Sequence, residues 1–403
     1  MKFLNQLSRI TTSGKVFIPQ IDGLRFVAII AVVAFHVRAI CSSHFRASPA
    51  GHTIDGDLVN NVFGAGCFGV QFLFVISGFI LSLPFARQYL CQGRRISLRG
   101  FYVRRVTRMQ PPYAIHLAFL LALCWLVLRW QPSHPHLYHN PAWADYALKH
   151  ILSSFFYLNG LIFGTHPYPN IALWALEIEV QFYLLAPFLV GIFRIADTWK
   201  RRTFIVISIL TGCLMVFLVN ALAGLSNANS YRICYSLIGN YQYFLMGFLL
   251  ADLYLLNRLE SSVRNYQWDL VFPLAMTAVV LLRHSSLLGI MLPWMVLVSC
   301  LAAFRGTLTA RFLSHPWITT MGGMCYTIYL YHRLMISMLV RVTGRLRTHI
   351  LWLDLLIQFI LMSVIIIAAC AVLFTLFERP FMQSDWPARV WKKIRPAGKA
   401  DAS

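Results

Sequence analysis

Residues 21–36 read IDGLRFVAIIAVVAFH, an apolar run that carries one arginine, Arg25, and one histidine, His36. They stand eleven positions apart, and at about 100° and 1.5 Å per residue eleven steps close roughly three helical turns. On a helix the two side chains share a face and stand ~16 Å apart, about half of a ~30 Å hydrocarbon core. A cation facing lipid there costs at least about 2.5 kcal/mol, so the shared face is expected to turn toward protein or a wet cavity. A plainer account stays open, in which Arg25 snorkels to the headgroups and His36 is a satisfied interior histidine.

Composition supports a membrane setting for this run. Of 403 residues 58% are hydrophobic and 12% charged, against about 25% charged in a typical soluble domain. The formal charge of +21 does not point to nucleic acid, because the basic residues lie mostly in short segments between apolar runs, where they set topology. The nine cysteines are scattered singly with no CxxC spacing, which indicates neither a disulfide scaffold nor a zinc site. The histidines of the longest outside segment, His134, His136, His139, His150 and His166, are irregularly spaced without an acidic cluster, so no metal site is expected.

Apolar runs long enough to span, or nearly so, begin near Leu24, Val62, Pro112, Ile171, Phe204, Ser236, Trp268, Leu287, Ile318 and Ile350. The fold class expected is all-α, a polytopic transmembrane helical bundle of about ten spans. With the amino terminus inside, roughly two thirds of the 35 Lys and Arg fall on the cytoplasmic side, which predicts both termini cytoplasmic. Arg341, Arg345 and Arg347 run against that bias. The division expected is a cytoplasmic segment 1–20, a membrane domain 21–380 and a basic tail 381–403. Within the outside segment Gln131–Asn170, the short apolar stretch Ile151–Phe163 is expected to be interfacial or re-entrant.

Several polar groups interrupt the spans. Trp174–Tyr183, WALEIEVQFY, places Glu177 and Glu179 inside an apolar helix, about 200° apart and on different faces. Glu179 and His36 both fall in the outer half, where a carboxylate within reach of an imidazole orients its tautomer for general-base work. His332 in the ninth span falls at a matching depth. Arg105 and Arg108, in the basic loop before the third span, are at i and i+3 and on a helix form a fork able to hold phosphate; the plainer reading is a basic cytoplasmic loop facing anionic lipid. Gly64, Gly66, Gly69 and Ser77-Gly78 read as close-approach points between helices, with no elbow motif to make Ser77 a nucleophile.

In order along the chain, Arg25 with His36, GVQFLFVISGF at Gly69–Phe79, the Arg105 and Arg108 pair, Trp174–Tyr183, Tyr326–His332 and FERP at Phe377–Pro380 together resemble the acyltransferase-3 family of integral membrane O-acyltransferases. The resemblance implies a ten-helix enzyme of the cell membrane, in bacteria the inner membrane. It would move an acyl group, acetyl by default, from cytoplasmic acyl-CoA to a hydroxyl of an extracytoplasmic glycan such as lipopolysaccharide, exopolysaccharide or peptidoglycan. His36 would be catalytic with Glu179 assisting, Arg25 would line the donor channel, and Arg105 and Arg108 would help hold the CoA phosphates. Trp174, Tyr183 and His332 would join the substrate-binding set. Acyl-CoA is implied as donor substrate, with no permanently bound cofactor; carbohydrate acceptor and membrane lipid complete the partners, and no oligomeric state follows. Some members carry a fused extracytoplasmic hydrolase-like domain, for which no segment of this chain offers room, so a single-domain member is expected. The rival reading is a proton-coupled or sugar-phosphate transporter, against which stands the lack of an internal repeat or paired broken helices.

Overall fold

A computed structural model describes residues 17–46, 58–130, 142–223, 232–259, 263–346, 348, 350–383 and 386. Most of the expected amino-terminal segment and basic tail, and His134, His136, His139 and Arg347, lie outside the described residues. Among the described residues the secondary structure is helical throughout, with no strand.

The chain runs through α1 (Pro19–Arg46), α2 (Leu58–Ala65), α3 (Gly69–Leu90), α4 (Leu98–Trp130), α5 (Ala142–Phe155), α6 (Asn159–Phe163), α7 (Trp174–Leu189) and α8 (Thr198–Ala223). It continues through α9 (Leu237–Leu256), α10 (Gln267–Leu282), α11 (Leu288–Arg305), α12 (Thr307–Leu313), α13 (Pro316–Gly323), α14 (Cys325–Thr343) and α15 (Leu351–Leu373). Eight helical stretches among the described residues are long and apolar enough to cross a bilayer. The other two expected spans are α10, at 16 residues, and the ninth, which is divided at Met324 into α13 and α14.

Close backbone approach organises the interior. Gly78 of α3 and Gly247 of α9 face each other so tightly that a β-carbon at either would collide with the other helix's backbone, at the Phe244 and Val75 carbonyls. Aromatic rings fill the flanks: Phe244 stacks on Phe74 of α3 at 4.8 Å and on Phe182 of α7 at 3.9 Å. The same device places α13 on α1, where Gly322 abuts the Asp22 carbonyl. The division at Met324 frees first-turn N–H groups of α14, and the buried Glu378 accepts one of them, from Thr327 at 3.1 Å, together with the Thr327 hydroxyl at 2.5 Å. Glu378 ends a π-helical turn, Phe374–Glu378, that continues α15.

The segment expected to be a basic loop up to Arg108 is largely helical. α4 begins at Leu98 and carries Arg105 and Arg108 straight into the span through Pro111 and Pro112. Pro111 cannot donate to the Thr107 carbonyl, and the Trp386 indole N–H does so instead at 3.1 Å; the Tyr326 hydroxyl reaches the Met109 carbonyl at 3.0 Å. The Trp386 donor thus replaces the bond lost at Pro111, and the helix continues past its prolines.

The stretch Ile151–Phe163 doubles back into the bundle. Tyr157 donates to Gln110 at 2.6 Å and its ring stacks on Tyr113 at 4.8 Å, while Gln181 of α7 donates to the Tyr157 carbonyl at 2.9 Å. Glu177, 2% exposed, pins this segment from α7 by accepting from Ser154 and from the Gly160 N–H, both at 3.0 Å. Elsewhere, α8 and α9 are tied by the fully buried Asp252, which meets Arg201 at 2.5 Å and Arg202 at 2.6 Å. Removing this aspartate would strand Arg201 without its counter-charge, a change that costs about 3–5 kcal/mol in buried pairs.

Candidate active site

Three arginines converge on one cavity, Arg25 from α1 and Arg105 and Arg108 from α4. The i, i+3 spacing on α4 works as its helical geometry requires, since residues three apart stand over one another on one face. Two carboxylates line the same space, Glu179 from α7 and Glu378 from the π-helical turn. Ser77 of α3, Tyr183 of α7, and Cys325, Tyr326 and Tyr329 of α14 complete the wall that matters here.

The charges are arranged rather than merely collected. Arg25 bonds Asp22, one turn earlier on α1, at 2.6 Å. The Arg105 guanidinium lies over the Tyr183 ring at 5.4 Å and the Phe101 ring at 5.7 Å, which restrains its plane without neutralising it. Glu179 accepts from the Ser77 hydroxyl at 2.5 Å and from the Tyr183 hydroxyl four residues along its own helix. Arg108 forms no hydrogen bond or salt bridge among the described residues, so its donors are available to a guest.

His36 and His332 meet beyond this cavity. His36 is 9% exposed and His332 is fully buried, and their ring centroids lie 5.0 Å apart. His332 Nδ1 sits 2.8 Å from the Tyr329 carbonyl and 3.0 Å from the Ile328 carbonyl. Both are acceptors, so Nδ1 carries a hydrogen, and in the neutral ring this leaves Nε2 as the acceptor. That nitrogen is buried and has no protein partner among the described residues. Tyr329 stands between the two regions: it lines the cavity, its ring centroid is 5.7 Å from that of His332, and its hydroxyl is tied to the Ala172 carbonyl at 2.7 Å.

Of the residues singled out from sequence, Arg25, Arg105, Arg108, Glu179 and Tyr183 thus come together at the cavity, and His36 and His332 meet one tyrosine ring away. Trp174 stands apart from the cavity lining, packed edge-on against Phe74 at 6.1 Å and Tyr235 at 5.0 Å. The expected partnership of Glu179 with His36 is not the one formed. Tyr183 reaches back one helical turn and Ser77 reaches across from α3 to hold that carboxylate on the arginine side. Sequence reading also passed over Ser77, taken only as a small packing residue, and Glu378, which lay inside a quoted motif without a role. The available signals were a hydroxyl inside an apolar run for Ser77 and a carboxylate at the end of one for Glu378.

A family model described as an acyltransferase domain matches residues 18–375. Over 216 residues the chain is 26% identical to the peptidoglycan O-acetyltransferase OatA of Listeria monocytogenes, covering 51% of this chain and 29% of that protein. Over 347 residues it is 26% identical to Bacillus subtilis YrhL, provisionally named a peptidoglycan O-acetyltransferase, covering 78% of this chain and 48% of that one. Over 401 residues it is 24% identical to a Staphylococcus aureus (strain COL) protein provisionally named an O-acetyltransferase, covering 93% of this chain and 59% of that one. The chain therefore spans less than two thirds of the length of each of these relatives. No solved structure matches it. The family match covers most of the chain and takes in both histidines and all three cavity arginines, and the conclusion follows that the chain belongs to the acyltransferase-3 family.

Proposed function

We propose that this chain is a membrane O-acyltransferase that receives an acyl group, acetyl by default, from acyl-CoA at the arginine cavity and delivers it to a glycan hydroxyl at the His36–His332 pair. The observation that carries the reading is Tyr329: a single aromatic ring separates a cavity lined by three arginines from a pair of buried imidazoles. An anionic nucleotide thioester is drawn to guanidinium groups, whose forked donors suit phosphate oxygens. The thioester arm then has only the Tyr329 wall to pass before its carbonyl carbon lies near a base. The basic bias of the segments on the Arg25 side supports the cytoplasm as the source of donor.

In this reading His36 takes the proton from the acceptor hydroxyl as its oxygen attacks the thioester carbonyl carbon. The tetrahedral centre collapses with cleavage of the C–S bond, and the CoA thiolate leaves and takes up a proton. His332, held in one tautomer by the Tyr329 carbonyl, offers Nε2 beside His36. Glu179 acts on the donor side, restraining Tyr183 and through it the Arg105 plane. The names of the relatives recommend peptidoglycan as the first acceptor to try, with other envelope glycans beside it.

The test is transfer of label from radiolabelled acetyl-CoA to fractionated envelope glycans, in membranes carrying the native protein or His36→Ala at matched expression. Label in glycan with native protein alone is the expected result. Equal labelling by both removes His36 from the chemistry, and no labelling by the native protein with any glycan fraction overturns the reading.

A further inference from the structure

Arg333 follows His332 directly on α14, so it is turned about 100° from it. Where His332 is fully buried, Arg333 is half-buried. His36 meets the His332 ring at 5.0 Å, and the charged and titratable groups that act on it electrostatically are His332, Arg333 and His166, with no carboxylate among them. Among the described residues the Arg333 guanidinium makes no salt bridge and donates no hydrogen bond. Arg25 is paired with Asp22 and Arg201 and Arg202 with Asp252, and the two arginines without an ion pair at the cavity, Arg105 and Arg108, share it with Glu179 and Glu378. A half-buried cation within a membrane span is costly, and one left without a counter-charge beside a candidate catalytic pair is placed for an anion that arrives from outside the protein.

The segment between His166 and Trp174 packs on α14 within a turn of Arg333, where Asn170 donates to the Leu330 carbonyl at 3.0 Å and the Tyr329 hydroxyl to the Ala172 carbonyl at 2.7 Å. His166, in the loop after α6, lies edge-on to Tyr235 at 4.7 Å, and Tyr235 lies edge-on to Trp174 at 5.0 Å. All three are half-buried, so part of each ring remains accessible. Burial, and after it the charge of Arg333, lowers the His166 pKa to about 4, so at neutral pH the positive charge there belongs to Arg333. Rigid aromatic rings with a polar edge, next to a forked cation, form a surface for a ring-shaped ligand bearing one negative group.

We propose that Arg333, with Tyr235 and Trp174 beside His166, forms the acceptor subsite and selects a glycan carrying an anionic substituent, a carboxylate or a phosphate. The subsite takes its role as acceptor site from the acyltransferase reading; the binding preference itself does not depend on it.

The experiment measures binding to purified full-length protein in nanodiscs without acyl donor, using three trisaccharides of the same backbone that carry a uronate, a phosphate monoester or no charge. Native protein is expected to bind at least one charged trisaccharide about tenfold or more tighter than the neutral one, and the tighter of the two charged probes names the substituent. Arg333→Gln is expected to bring the charged probes to the neutral affinity while leaving neutral binding in place, and Arg333→Lys to keep part of the preference. Equal binding of all three probes by native protein overturns the proposal. So does a full preference retained by Arg333→Gln, or a preference lost entirely in a well-folded Arg333→Lys. If native protein shows the binding preference yet transfers no acyl group to any glycan, the acyltransferase reading fails and the subsite stands.

Discussion

Glu179, at the arginine cavity, accepts two hydroxyl donors and faces cations from α1 and α4. His36, on the other side of Tyr329, meets the His332 ring at 5.0 Å, and the charges that act on it come from histidines and Arg333, not from a carboxylate. Both regions are buried in the same bundle, and they are built on opposite principles. At the cavity, charges of both signs stand close together: Arg25 is paired with Asp22, while Arg105 and Arg108 make no ion pair and keep donors for an anion. At the histidine pair no carboxylate competes for the imidazoles, and one tautomer is enforced by a backbone carbonyl. On the proposed acyltransferase reading, the difference separates binding from proton transfer in space: groups that grip phosphate need free cationic donors, whereas a base must keep a lone pair free at neutral pH.

The strongest way to break this separation is His36→Ala. Loss of a positioned general base is expected to lower kcat by about 10³-fold while leaving acyl-CoA binding within twofold or so. Parallel turnover and donor-binding measurements check it, and a comparable loss in donor affinity would show that the two regions are one site. Next come Arg105→Gln and Arg108→Gln, each removing charge-assisted bonds of about 1.5–3 kcal/mol and so raising the KM for acyl-CoA by roughly 10- to 100-fold with a smaller effect on kcat. A fall in kcat at unchanged KM would move these arginines into the chemical step.

Glu179→Gln sharpens the comparison further. The amide still meets Ser77 and Tyr183, so a loss of roughly tenfold is expected on the donor side, and the pH dependence of turnover should keep its native shape. A shifted pH profile would mean that Glu179 serves His36 after all. The smallest effect is expected of Tyr329→Phe, which removes the hydroxyl tie to Ala172 but keeps the ring between the two regions. A change of a few-fold in turnover fits a partition; a loss as large as that of His36→Ala would make the hydroxyl part of the chemistry.

Much of this arrangement was legible along the chain because helices in a bilayer are nearly one-dimensional. A hydrophobic span has a known rise per residue, so the depth of a polar group follows from its place in the run. That is why His36 and His332, far apart in sequence, were expected at one level, and why Arg25 and His36 were expected on one face. Depth does not tell which of several neighbours a side chain meets. Glu179 shares a half of the membrane with His36, yet the Ser77 hydroxyl and a tyrosine one turn away claim its carboxylate. Local pattern also misled at α4, where Pro111 and Pro112 signal a boundary that Trp386, nearly three hundred residues later, removes by supplying the missing hydrogen bond.

The sequence by itself determined the all-helical membrane class, the ten runs that become helices or helix pairs, and which polar residues had to face inward, because the cost of exposing charge to lipid leaves little choice. Only the tertiary structure decided how those inward groups divide: three arginines around Glu179 and Glu378 on one side of Tyr329, two imidazoles and Arg333 on the other. That partition rests on contacts between helices distant in sequence, among them the glycine crossing of α3 with α9 and the carboxylate that caps α14 from the end of α15. Rise per residue sets a group's height in the membrane, whereas its partner is chosen by lateral packing, which no single helix encodes.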